Sequence, residues 1–397
     1  MKRQKQVKTP SLCLGIIAVL LLCFVSCDFQ PAKVLSDERP VGGKFAQGRP
    51  KLDEFIESGG AIGGGTTINT IQSGDKENYP MLSKQAIKKL LDETDTKHLP
   101  DQIMEEMPDW NPTTGKIWNP GKISDEALNL TLARLNAIRE ICGLYPVILS
   151  DYPTVKKNPD SDETEKLRYR SAQYGAALMS LTKSLGHGGQ PKPAGVDEKY
   201  YKLGVAATEG GDIYQLPPAK LIAAIDGYCL DPGNPGVGHR LTLLSPGQIQ
   251  VDIGSVPAPS GSFASNVLQV YSLPSTDGLE IKTLKPDNFD WNFISYPSAG
   301  YFPLEGNLFG SPAFWHVQFN TKKYTVGSGK IIVTRLDSGE QWIEEHSGGG
   351  TIIFNKSNTW RPALGRYTYE VTGVRDKSTN IPVRFVFTTE FFDRNSL

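Results

Sequence analysis

"GNPGVGHRLTLLSPGQIQVDIGSV", residues 233–256, holds two kinds of chain in one line. It opens with turn formers around a single histidine, His239. Leu241, Leu243 and Leu244 then crowd together, and Pro246-Gly247 breaks the run. Beyond the break Ile249, Val251 and Ile253 alternate with polar residues, the period of a half-buried strand. An imidazole at such a junction has three uses: to bind a metal, to move a proton, or to cap a buried strand or helix.

Upstream of this stretch the apolar spacing is helical. In "SDEALNLTLARLNAIREICGLYP" Ser124 is placed to cap, Asp125 and Glu126 suit the positive helix end, and Leu128, Leu132, Leu135, Ile138 and Cys142 keep one face until Gly143 stops it. "DETEKLRYRSAQYGAALMSLTKSLGHGG" predicts a second helix with Leu167, Ala172, Ala176, Met179 and Leu185 inward and His187 just past its end. A third follows Pro217-Pro218 as "AKLIAAIDGYCLD", with Leu221, Ile225 and Tyr228 on a shared face.

Downstream the period is two. "FWHVQFN" alternates Trp315, Val317 and Phe319, which turns His316 toward water or the sheet's other side. "KIIVTRL", "GTIIFN", "RYTYEVTGV" and "IPVRFVFTTEFF" are short strands between turns, predicting a separate small β-sandwich over 323–397. Trp342, Tyr324 and Trp360 are its candidate surface aromatics, with core packing the commoner fate of such side chains. The expected class is α+β: helices over a sheet, then the sandwich. Forty glycines and 28 prolines fit that turn-rich plan better than a helical bundle.

The N-terminus carries a targeting pattern. Lys2, Arg3, Lys5 and Lys8 precede the apolar run "LCLGIIAVLLLCFVSC", which is too short and terminal for a membrane span. Residues 1–26 are therefore expected to be a signal peptide. Ser26-Cys27 resembles the lipobox of bacterial lipoproteins, with Phe24 where leucine is usual; it implies lipidation at Cys27 and a surface anchored through acyl chains, with ordinary secretion as the alternative. Residues 27–120 are expected to be a tether, glycine-rich at first, then carrying short amphipathic helices in "MLSKQAIKKLLDETD" and "LPDQIMEEM" that need a partner surface. Net charge is −1, from 42 basic and 43 acidic residues, so nothing favours nucleic acid as a partner. Cys142 and Cys229 remain for the folded region and are candidates for a bridge in an oxidising compartment.

His187, Glu209 in "AATEGGDIY", Asp231 in "GYCLDPGN" and His239 all fall at turns, and two imidazoles with two carboxylates suit a divalent ion such as zinc. They equally suit a scaffold in which carboxylates orient imidazoles. His98 and His346 lie in polar segments and are expected to be solvated.

"LNAIREICGLYPV", "AQYGAALM" with "LGHGG", "ATEGG", "AIDGYCLDPGN" and "GVGHRLTLLSP" resemble, in this order, signatures of the CAP superfamily of cysteine-rich secretory, antigen and pathogenesis-related proteins and their bacterial SCP-domain relatives. The resemblance covers roughly residues 125–320, and the domain it implies is placed at 121–322. It implies an α-β-α sandwich with an open cleft lined by His187, Glu209, Asp231 and His239, the two histidines holding a metal. Tyr228 stands where the family has tryptophan, Gly210 where it has asparagine, and Asp231 is a methylene shorter than glutamate. The resemblance suggests capture of a small-molecule or lipid ligand, or contact with a cell-surface component.

Two other functions stay open: a metal-dependent hydrolase of peptides or cell-wall material with Glu209 as base, and an adhesion protein working through the C-terminal sandwich. Catalysis ranks below binding, because GxSxG and HExxH are absent from the sequence.

Overall fold

The computed structural model describes residues 69–72, 82–144, 146–157, 160, 162–217, 221–271, 291–306, 308, 314–357 and 359–397. The expected signal peptide and lipidation at Cys27 lie outside them. Among the described residues no helix is long and apolar enough to cross a membrane. The class is α+β.

The first part of the chain runs β1 (Asn69–Gln72), α1 (Lys84–Glu93), β2 (Met104–Glu106), β3 (Lys122–Ile123), α2 (Asp125–Ile141), β4 (Ile148–Leu149), β5 (Thr154–Lys156), β6 (Thr164–Lys166), α3 (Ser171–Thr182), α4 (Glu198–Glu209), β7 (Gly211–Leu216), α5 (Leu221–Leu230), α6 (Gly238–Leu243), β8 (Gln250–Pro257) and β9 (Ala264–Gln269). Strands β4, β8, β9 and β7 form one sheet in that order. Its side chains alternate between two cores. Ile213, Val256 and Val267 pack with α3 and α4, whereas Val251, Ile253, Leu268 and Val270 pack with α2, α5 and α6. Helices thus cover both faces of the sheet.

Local chemistry sets these elements. Ser124 accepts from the Ala127 amide at 3.3 Å, capping α2 as its sequence predicts. Helix α3 is buried from Ser171 through Ser180, so it is capped from outside: the Asp252 carboxylate of β8 accepts from the Ala172 amide at 2.9 Å. Gly254 allows that approach, since a Cβ there would lie 2.1 Å from the Ala172 carbonyl oxygen.

The remaining strands are β10 (Phe293–Tyr296), β11 (Gly300–Pro303), β12 (Trp315–Phe319), β13 (Tyr324–Val326), β14 (Gly329–Arg335), β15 (Gln341–His346), β16 (Thr351–Phe354), β17 (Gly365–Asp376) and β18 (Pro382–Phe392). A seven-stranded sheet follows the path β1-β18-β17-β14-β15, with β11 also on β18 and β13 on β17. A three-stranded sheet, β10-β12-β16, packs on it through aromatic pairs: Phe319 with Phe385 at 4.9 Å and Trp315 with Tyr369 at 5.2 Å between centroids. Since β12 pairs with β16, residues on both sides of position 322 share a sheet. One continuous core links this region to α1, α2, α5 and α6.

Several expectations are corrected. Residues 162–170 are not the start of the second helix: Leu167 and Tyr169 are buried on alternate positions, the period of extended chain, and α3 begins at Ser171. Leu185 is exposed because α3 ends at the left-handed Lys183, before it. "LPDQIMEEM" holds strand β2 rather than a helix, paired antiparallel with β3 between Pro100 and Pro108. Within the expected tether, β1 pairs in parallel with β18, and α1 buries Ile87 and Leu91 in the main core. Helix α4 extends through Glu209, where the sequence suggests only a turn. Its Tyr200, Leu203 and Ala207 do carry helical spacing after Asp197. Cys142 and Cys229 are buried free thiols, not a bridge. Trp342 and Trp360 are half-buried against Trp315, and Tyr324 is buried.

Candidate functional site

His187 and His239, 52 positions apart in the chain, lie with ring centroids 6.3 Å apart and planes inclined by 23°. His187 follows the left-handed turn that ends α3. Its Nδ1 faces the Thr208 carbonyl at 3.1 Å, near the end of α4, and the neighbouring Gly188 amide donates to Thr208 Oγ1 at 3.2 Å. A carbonyl can only accept, so Nδ1 carries the hydrogen and the neutral ring keeps its lone pair on Nε2. Burial pushes the His187 pKa down, against the Thr208 and Gly211 backbone contacts that favour the cation, and His239 pushes it down further.

His239 is held more tightly. Its Nδ1 is 2.8 Å from Asp231 Oδ1, and its backbone amide donates to Asp231 Oδ2 at 3.0 Å. Asn234 Nδ2 donates to Oδ2 as well, at 3.1 Å. Asp231 is 2 % exposed. With its oxygens committed to these donors, it acts as an orienting group for the imidazole. Burial acts to lower the His239 pKa, but the Asp231 hydrogen bond and the charges of Asp212 and Asp231 outweigh it, and the net direction is up.

The fold forces this arrangement at some local cost. Asp231 lies just past α5 with φ +49°, a left-handed conformation that aspartate tolerates. Val237, before α6, has φ +45°, which is uncommon for a β-branched residue. Arg240 compensates from beneath. Its guanidinium donates to the Cys229, Leu230 and Phe314 carbonyls at 2.5, 2.9 and 2.8 Å, neutralising the carbonyl end of α5, and it stacks 4.4 Å from the Tyr296 ring centroid. Tyr228 lies under His239 at 5.8 Å between centroids and donates to the Asn266 carbonyl at 3.2 Å.

Glu209 is the exposed last residue of α4, and its carboxyl lies against Gly188: a Cβ at 188 would meet Glu209 Oε1 at 2.5 Å. The structure therefore bonds Asp231 to His239, brings the His187 ring alongside, and sets Glu209 beside the turn that carries His187. Among the described residues, no three His, Cys, Asp or Glu side chains are grouped to hold a metal ion.

Sequence reasoning missed three contributors: Thr208, Thr242 and Asp212. Asp212, on β7, is buried, and its carboxyl meets the Thr242 hydroxyl of α6. Burial raises its pKa to about 7, opposed by His239 and Thr242 and assisted by Asp231. The signal was present in "GGDIYQL": Asp212 alternates with the apolar Ile213 and so shares the face of Tyr214, toward α5 and α6.

His316 is fully buried rather than at water, stacked on Tyr296 at 6.2 Å, and burial drives its pKa well down. His98 is exposed, with Nε2 3.0 Å from the Asp92 carbonyl, and His346 is half-buried, 2.9 Å from the Thr372 carbonyl. No family model matches the chain, and no curated protein sequence matches it.

Proposed function

We propose that this chain is an exported surface protein, anchored through an acylated Cys27, whose CAP-like α-β-α domain binds an extracellular ligand in a cleft at His187 and His239 and whose later strands form a β-sandwich that shares its core. The observation that carries this is the histidine pair itself: two rings 6.3 Å apart, each with Nδ1 committed to an acceptor, an arrangement in which Nε2 would be the nitrogen offered to a ligand. His187 and His239 would hold a divalent ion such as zinc, with Asp231 orienting His239 and Glu209 at the rim. The ion would supply a Lewis-acidic contact for a ligand's oxygen or nitrogen. Helices on both faces of the sheet, in the order the CAP signatures follow, support the domain assignment.

Calorimetric titration of metal-free protein with zinc tests the site. The wild type binds, and His187→Ala/His239→Ala loses that binding. Equal affinity in the two proteins would remove the site. A hydrolytic role draws support from the exposed Glu209 carboxyl beside Gly188. It requires chelator-sensitive cleavage of peptides or cell-wall fragments that Glu209→Gln abolishes.

A further inference from the structure

We propose that Asp212 is the positioning residue that sets the separation of His187 and His239, and so the affinity of the cleft; this rests on the metal-binding function proposed above. The two histidines sit on elements with no direct bond between them. Helix α6 has only six residues, too few to hold a fixed direction unaided. Asp231 and Arg240 tie it back to the end of α5. Neither of those bonds refers α6 to His187.

The segment Thr208–Asp212 does. At one end the Thr208 carbonyl takes His187 Nδ1 and its hydroxyl takes the Gly188 amide. At the other the Asp212 carboxyl meets the Thr242 hydroxyl, one turn along α6 from His239, and that hydroxyl is also 2.7 Å from the His239 carbonyl oxygen. The segment between is fixed to the sheet: the Gly210 carbonyl accepts the Val270 and Tyr271 amides, both at 2.9 Å, and Gly211 stands opposite Gln269 in the β7–β9 ladder. Four residues after Thr208, the same rigid bracket thus grips the second histidine's helix. Asp212 is buried, so water does not replace its contact. Its role needs a hydrogen-bonding group at that spot rather than a charge, which separates it from Asp231.

The test uses the full chain and two pairs of variants. Asp212→Leu and Thr242→Val remove the contact from opposite sides at nearly constant volume, whereas Asp212→Asn and Thr242→Ser keep it. Two readouts are taken on each: zinc affinity by calorimetry, and, in zinc-free protein with labelled histidines, the nuclear Overhauser contact between the two rings. The contact-deleting variants are expected to bind zinc about 10-fold to 100-fold more weakly and to lose or weaken the ring contact. The contact-keeping variants are expected to recover most of both.

Wild-type affinity with an intact ring contact in Asp212→Leu overturns the proposal, as does an Asp212→Asn protein no better than Asp212→Leu. If Asp212→Leu does not fold, Thr242→Val decides on the same two readouts. If the wild type binds no zinc, the metal function fails on its own. The ring contact then decides: lost in Thr242→Val and kept in Thr242→Ser, it sustains Asp212 as the positioning residue; unchanged in both, it overturns it.

Discussion

Replacing Asp231 with asparagine isolates the charge that faces His239. The amide keeps one acceptor oxygen and tolerates the left-handed backbone at φ +49°. It loses the charge opposite Nδ1 at 2.8 Å and presents a donor toward one of the donors now satisfied, either the ring or the His239 amide at 3.0 Å. Hydrogen bonds to a charged group contribute about 1.5–3 kcal/mol and neutral ones about 1 kcal/mol. With the ring protonated, the variant should therefore lose roughly 2–4 kcal/mol; with the ring neutral, about 1–2 kcal/mol. The sign follows from the raised pKa of His239. That elevation adds stability at pH below the unfolded value, near 6.5, and the gain is lost as pH rises through the folded value. Thermal melts of both proteins at pH 5 and pH 9 give the answer, at about 2 °C per kcal/mol for a large domain. Asp212 titrates near 7 in the same window, so the comparison is between the two proteins at each pH. A deficit equal at both pH values, or larger at pH 9, would refute the charge-assisted role of Asp231.

Other outcomes can be checked alongside. Gly254→Ala places a Cβ 2.1 Å from the Ala172 backbone, which cannot yield without moving α3, so a loss above about 3 kcal/mol is expected in urea unfolding. Asp226→Ala strands the buried Arg134, now bonded to both Asp226 oxygens at 2.8 and 3.1 Å. It should lose about 3–5 kcal/mol, most of it restored by the double change Arg134→Met/Asp226→Leu. Burial pushes the Cys142 and Cys229 thiols up, so a thiol reagent should leave both untouched in the native protein and label both in guanidinium. Labelling without denaturant would contradict their burial.

Local signals were the most readable. Ser124 with its acidic first turn marked α2 within a residue, and the two-residue alternation of Tyr367, Tyr369 and Val371 and of Val383, Phe385 and Phe387 marked β17 and β18. The misreadings came where tertiary contact overrides composition. Residues 162–170 contain good helix formers, yet burying Leu167 and Tyr169 together requires extended chain. Leu185 fits the helical face by spacing alone, but the helix has already ended. His316 alternates away from Trp315 as expected, and the far side of its sheet turned out to be core, because Arg240 and Tyr296 pack there.

By itself the sequence determined many of the helices and strands, among them α2, β17 and β18, with the caps and breakers that end them, and it set two histidines at element boundaries; these follow from steric and hydrogen-bonding preferences acting over a few residues. Only the tertiary structure decided that the two rings meet, that Asp231 is consumed in orienting His239, and that Asp212 lies beside them. Those facts depend on how strands pair and helices pack across tens to hundreds of residues, and burial and partner charge, which set each group's chemistry, do not exist until that packing is complete.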